Sequence, residues 1–148
     1  MYEAPYNDAP ESRRAWGQYL TELTGTLAAN RRGDAIALFL KYVGIAADRI
    51  DGIRRAPTWP VLEALAPTLA YDHTALLGND AAIPAGRAAT VAVPALVMSG
   101  GASYPFMRET ARTLSQAIPR AQLRTLDGQI HDVDVGVLAP VLTEFFSS

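Results

Sequence analysis

The sequence predicts an α/β chain in which a run of short helices leads into a β-α-β-α unit with parallel strands. Three stretches predict it. Val93-Pro-Ala-Leu-Val-Met98 is a short apolar run bounded by proline and by Ser99-Gly100-Gly101, the pattern of a strand buried on both faces. From Phe106 to Ile118, Phe106, Met107, Ala111, Leu114, Ala117 and Ile118 keep helical spacing while Arg108, Glu109, Arg112 and Gln116 can face water; Pro119 stops the helix. Ala121 to Leu126 alternates, with Ala121, Leu123 and Thr125 on one face and Gln122, Arg124 and Leu126 on the other, which predicts a second strand. Strands joined through a helix of this length lie parallel with a right-handed crossover. Ligands of open parallel sheets sit beyond the carboxyl ends of the strands, where Ser99 to Ser103 and Asp127 to Asp134 emerge, and His131 is in the second of these loops.

The remaining elements follow in chain order. Tyr2 to Pro10 is extended and proline-punctuated, the tail of a strand running into a loop. Glu11 to Asn30 places Trp16, Tyr19, Leu20, Leu23 and Leu27 at helical spacing, and Arg31-Arg-Gly33 breaks it. Asp34 is the expected N-cap of a second helix reaching Val43, ended by Gly44. Ala46 to Arg55 makes a third, with Ile50 and Ile53 inward, and Thr58 caps a further turn containing Trp59-Pro60. Pro67 splits Val61 to Leu77 in two, and Gly78 to Val91 reads as a linker. From Val135 to Phe146 a last helix carries Val137, Leu138, Val141, Leu142, Phe145 and Phe146 on a broad apolar face expected to pack back on the sheet, with Pro140 as a local irregularity.

Composition bounds the function. A chain of 148 residues is one domain or a piece of a larger one, and at 49% hydrophobic residues it has the material for a core. A formal net charge of -2 argues against nucleic acid and against an anionic membrane surface. The absence of cysteine removes disulfides, thiolate nucleophiles and cysteine-ligated zinc, and two histidines far apart in sequence make a poor metal site. No apolar run is long enough to span a bilayer, and Met1-Tyr-Glu-Ala-Pro has neither the basic start nor the apolar core of a signal peptide, so a cytoplasmic location is expected.

Taken together, Val93-Pro-Ala-Leu-Val-Met-Ser-Gly-Gly-Ala-Ser103, the helix ending Ala117-Ile-Pro119, Leu126-Asp-Gly-Gln-Ile-His131-Asp132 and Leu138-Ala-Pro-Val-Leu-Thr-Glu-Phe-Phe146 resemble the C-terminal part of an α/β-hydrolase. Arg31 to Leu77, with Trp59-Pro60 and Tyr71-Asp72, is similar to the helical cap that bacterial members insert before their last strands, and Tyr2-Glu3-Ala-Pro5 to the end of the strand preceding that cap. The resemblance implies a partial α/β-hydrolase fold: residues 1–10 as the end of a core strand and loop, 11–91 as helical cap and linker, and 92–148 as the C-terminal part of the core. The family's nucleophile sits in a Gly-x-Ser-x-Gly elbow on an earlier strand, and no such motif occurs here.

The same resemblance assigns roles. His131, in the Gly128-Gln-Ile-His pattern, matches the base that takes the nucleophile's proton and returns it to the leaving group. The usual position of its carboxylate is occupied by Ser103; a second position used by some members, the end of the sixth strand, is occupied by Glu3. Asp132 is expected to cap the last helix or turn the loop, and Asp72 could line the cap pocket. Trp59 and Tyr71, with Trp16 and Phe39, are candidates either for an apolar substrate pocket or for core packing, and His73 is expected to be packed or exposed rather than a ligand. Ser99 and Ser103 follow a strand, but without the elbow's flanking glycines they read as a turn serine and an N-cap.

The function implied is hydrolysis of a small ester, lactone or similar electrophile, with no cofactor and no metal, by a chain that lacks its own nucleophile. The alternative is a non-catalytic binding or assembly module, or one half of a split hydrolase. Two parallel strands and a stub leave a sheet edge unpaired, so a complementary N-terminal half or a second copy is the expected partner.

Overall fold

Trp16, Tyr19, Leu23 and Thr26, three and four residues apart, form the buried face of the first helix, α1 (Pro10–Ala28), in a computed structural model that describes residues 1–147. The chain divides into two units, Ala9–Asp80 and residues 1–8 with those from 81 onward. The first unit is helical. Asn30, at φ +55, turns the chain into α2 (Arg32–Tyr42); asparagine tolerates this left-handed conformation better than most residues. Asp34 does not cap α2, which begins two residues earlier. Its carboxylate instead takes Arg54 at 2.9 Å and Arg31 at 3.2 Å, and the Arg54 hydrogen bond above all holds its pKa below the usual carboxylate value.

Gly44, at φ +91, reverses the chain into α3 (Ala47–Arg54), which buries Ile50. The fourth helix, α4 (Trp59–Leu65), carries Pro60 in its first turn, where its missing N–H would have no partner anyway, and the Thr58 side chain makes no capping bond. After Pro67 comes α5 (Thr68–Asp72), followed by a wider turn in which Gly78 N–H donates to the carbonyl of His73 five residues back, at 2.9 Å. His73 is packed: its ring stands edge-on to Trp16 at 4.9 Å and to Tyr19 at 5.3 Å. Burial pushes its pKa below the ordinary histidine value. Trp16 satisfies its buried indole N–H on the Gly78 carbonyl at 2.9 Å.

The second unit holds the sheet. The stretch from Gly78 to Val91 contains a short helix, α6 (Ala85–Ala88), and Ala88 joins Val97, Ala111, Leu114 and Ile118 in the core. Strand β1 is Ala95–Gly100, α7 is Pro105–Ala117 and β2 is Ala121–Leu126, paired in parallel from Ala95 opposite Ala121 to Gly100 opposite Leu126. The first strand thus starts after Pro94, which has no N–H to give the ladder, and runs on through Ser99 and Gly100. Leu96 to Gly100 are buried on both faces, as the continuous apolar run predicts. The alternation expected for β2 does not become a buried face, because β2 is an edge strand: Gln122 to Thr125 are exposed and Leu126 is buried. On the other side of β1, Tyr2 makes a parallel bridge with Met98, whose N–H donates to Met1 O at 2.8 Å and whose carbonyl accepts Glu3 N–H at 2.9 Å.

The last helix, α8 (Val135–Ser147), is capped by Asp134, whose Oδ1 accepts Gly136 N–H at 2.6 Å, and Asp132 is left exposed. Its apolar face returns to the sheet only partly. Leu138, Val141, Leu142 and Phe145 are half-buried, and none of its described residues is fully buried.

Candidate functional site

The site is built where the stub, β1 and the loop after β2 converge. Glu3 follows directly on the bridge to Met98, and its backbone takes φ +47, a left-handed conformation unusual for a side chain of this size. That twist sends its carboxylate across the end of β1. The carboxylate has no exposure to solvent, so burying it requires donors. It has them: Gly100 N–H donates to Oε1 at 2.9 Å, and Ser103 Oγ donates to Oε2 at 2.8 Å. Arg108, in the first turns of α7, fixes the connecting turn through the carbonyls of Gly101 (3.2 Å) and Ser103 (2.8 Å).

The loop from Asp127 to Asp134 brings His131. Gly128, at φ +69, reverses the chain directly after β2. Gln129 then anchors the loop twice, its carbonyl accepting Ala102 N–H and its side-chain Oε1 accepting Asp134 N–H, each at 2.9 Å. Tyr2 OH donates to the carbonyl of Ile130. Next to it, His131 Nδ1 lies 3.3 Å from Glu3 Oε2. As a carboxylate Glu3 can only accept, so the shared proton is on Nδ1 and the lone pair of the imidazole is on Nε2. The ring is 70% exposed, and its one hydrogen bond among the described residues is to Glu3. An imidazole held on one nitrogen by a buried carboxylate and open on the other can take a proton from a hydroxyl and give it back.

No protein-family model matches the sequence, and no curated protein matches it. A solved structure does. The crystal structure of an alpha/beta hydrolase from Sphaerobacter thermophilus is similar at a TM-score of 0.75 and 41% identity over 98% of this chain. The chain has a partial α/β-hydrolase fold. It spans 56% of that hydrolase's length.

Within this partial hydrolase fold, the structure brings Glu3 and His131 together across 128 positions of sequence. Trp59 and Tyr71 belong to the helical unit: Trp59 is buried with the Arg54 guanidinium 5.3 Å from its ring centre, whereas Tyr71 is 69% exposed. Asp72 is exposed as well. Neither serine takes the place expected of it. Ser99 is buried inside β1, and Ser103 leaves the N-cap of α7 to Tyr104 and spends its hydroxyl on Glu3. Sequence reasoning missed Tyr2 and Gly100. The signal for Gly100 was the glycine pair ending β1, for a Cβ at 100 would lie within 3.0 Å of Tyr2 OH and collide with the Gln129 carbonyl. No helix among the described residues is long and apolar enough to cross a membrane.

Proposed function

We propose that this chain supplies the acid–base pair of a hydrolase acting on a small ester, lactone or comparable electrophile, with His131 as general base and Glu3 as its carboxylate. The nucleophile and the oxyanion donors come, in this reading, from the part of the fold that lies outside these residues. The observation that carries it is the 3.3 Å approach of His131 Nδ1 to the buried Glu3 carboxylate, with Nε2 left open. His131 would draw the proton from the attacking hydroxyl as it adds to the carbonyl carbon, then return it to the leaving alkoxide; Glu3 would hold the imidazolium between the two transfers. A cytoplasmic location, expected from the composition, belongs to the same reading.

Complementation tests it. The chain would be co-expressed with the portion of the Sphaerobacter hydrolase that it does not cover, and hydrolysis of short-chain p-nitrophenyl esters measured. The expected result is turnover that needs both parts and falls at least about 10²-fold with His131→Ala, the scale of general acid–base catalysis. Turnover indifferent to His131→Ala would overturn the proposal.

A second reading, assembly through the sheet edge, is favoured by the stub. Met1 O and Glu3 N face β1, so by the alternation of a strand the Tyr2 amide and carbonyl face the opposite edge. Its partner would be the complementary part of a hydrolase or a second copy of the chain, and light scattering on the purified chain separates a homo-oligomer from a monomer awaiting another protein.

A further inference from the structure

The residue beside the acid has no role in the proposed chemistry, yet it reaches the same loop. Tyr2 and Glu3 are adjacent on the stub, and both end at the loop that carries the base: Glu3 on the ring of His131, Tyr2 OH on the carbonyl of Ile130, one residue earlier. The phenol gets there by passing over Gly100. An ideal Cβ at that position would stand 3.0 Å from Tyr2 OH, so glycine at the end of β1 is what leaves the path open. Burial, and then the Glu3 charge, push the Tyr2 phenol pKa upward, so the hydroxyl keeps its proton and remains a donor.

We infer that Tyr2 is a positioning residue for His131, pinning the preceding peptide so that the imidazole meets Glu3 through Nδ1. The inference rests on the Glu3–His131 pairing proposed above. A ring fixed at its backbone can meet the carboxylate only from one side. Released from Tyr2, the Ile130–His131 peptide can rotate, and the ring can turn toward water, where the Nε2–H tautomer is the favoured neutral form. Other ionisable groups are Asp127, Asp132 and Asp134 on the ring's own loop, with Arg108 of α7 bonded to the turn after β1. None of these four makes a hydrogen bond to the ring.

The test reads the tautomer of His131 directly, by long-range nitrogen–proton NMR correlation on the whole chain, with urea unfolding run in parallel. The wild-type ring is expected mainly as Nδ1–H. In Tyr2→Phe the Nδ1–H to Nε2–H ratio is expected to fall about fivefold, the equivalent of one hydrogen bond of about 1 kcal/mol, while urea unfolding keeps a single cooperative transition with its midpoint lowered by no more than that bond. Should Tyr2→Phe fail to fold, 4-fluorophenylalanine at position 2 keeps the ring filled, cannot donate, and must give the same fall. An unchanged ratio in a folded variant would overturn the inference. A wild-type ring found mainly as Nε2–H would instead overturn the Glu3–His131 pairing, and this inference with it.

Discussion

The backbone of Gly100 and the carbonyl of Gln129 are packed so closely that a methyl group on Gly100 has no room, since the atom it would strike is main chain and not the tip of a flexible side chain. This contact ties the end of β1 to the loop that carries His131.

Gly100→Ala is therefore expected to destabilise the chain by about 1–3 kcal/mol, the usual penalty for forcing volume into a packed site. Gly86→Ala, where an added Cβ meets nothing within 4 Å, is the control. It should be neutral or slightly stabilising, by about 0.4–1 kcal/mol. Urea midpoints compare the two, and equal midpoints would contradict the packing described.

Glu3→Ala should cost about 1–3 kcal/mol as well, for a different reason. It strands the Gly100 N–H and the Ser103 hydroxyl, both of which donate to the carboxylate. Glu3→Gln keeps an acceptor oxygen and should lose less. If Glu3→Gln proves the more damaging of the two, the amide NH2 set against these donors outweighs the one acceptor oxygen that glutamine keeps.

His73 predicts a pH dependence with a definite sign. Its folded pKa is lowered by burial from 6.5, so the unfolded chain binds the proton more readily. Full stability is present above pH 6.5 and is lost as pH falls from there through the lower, folded-state pKa. His73→Phe should flatten this part of the profile, measured as urea midpoints at a series of pH values. A profile that stays as steep in His73→Phe would assign the slope to another group.

Leu114 is 1% exposed in the core between α7 and the sheet, and Leu114→Ala is expected to cost about 2–5 kcal/mol. Val137 on α8 is 38% exposed, and Val137→Ala should stay within about 0.5 kcal/mol. A large loss at Val137 would show that α8 is held more firmly than its exposure indicates.

The βα crossover was legible in the sequence because its signals are local: a continuous apolar run for β1, a 3.6-residue stripe for α7, and proline at both boundaries. The pairing of Glu3 with His131 was legible only through family resemblance, since no local pattern joins positions 128 residues apart. What the sequence hid depended on tertiary neighbours. Ser103 has the spacing of a cap, but a buried carboxylate nearby offers its hydroxyl a charged acceptor. Asp34 similarly gives up its cap for two arginines, one of them 20 residues away. The apolar face of α8 suggested burial, and the two-strand sheet does not offer it enough surface.

The left-handed backbone at Glu3 sets two selective pressures against each other. Glycine or asparagine would relax that conformation, which for glutamate carries a strain of about 1 kcal/mol or more, yet either would remove the acid. Because either change would also strand the Gly100 and Ser103 donors, at about 1–3 kcal/mol, heat-resistant variants raised from a random library with no demand for turnover should keep glutamate at position 3.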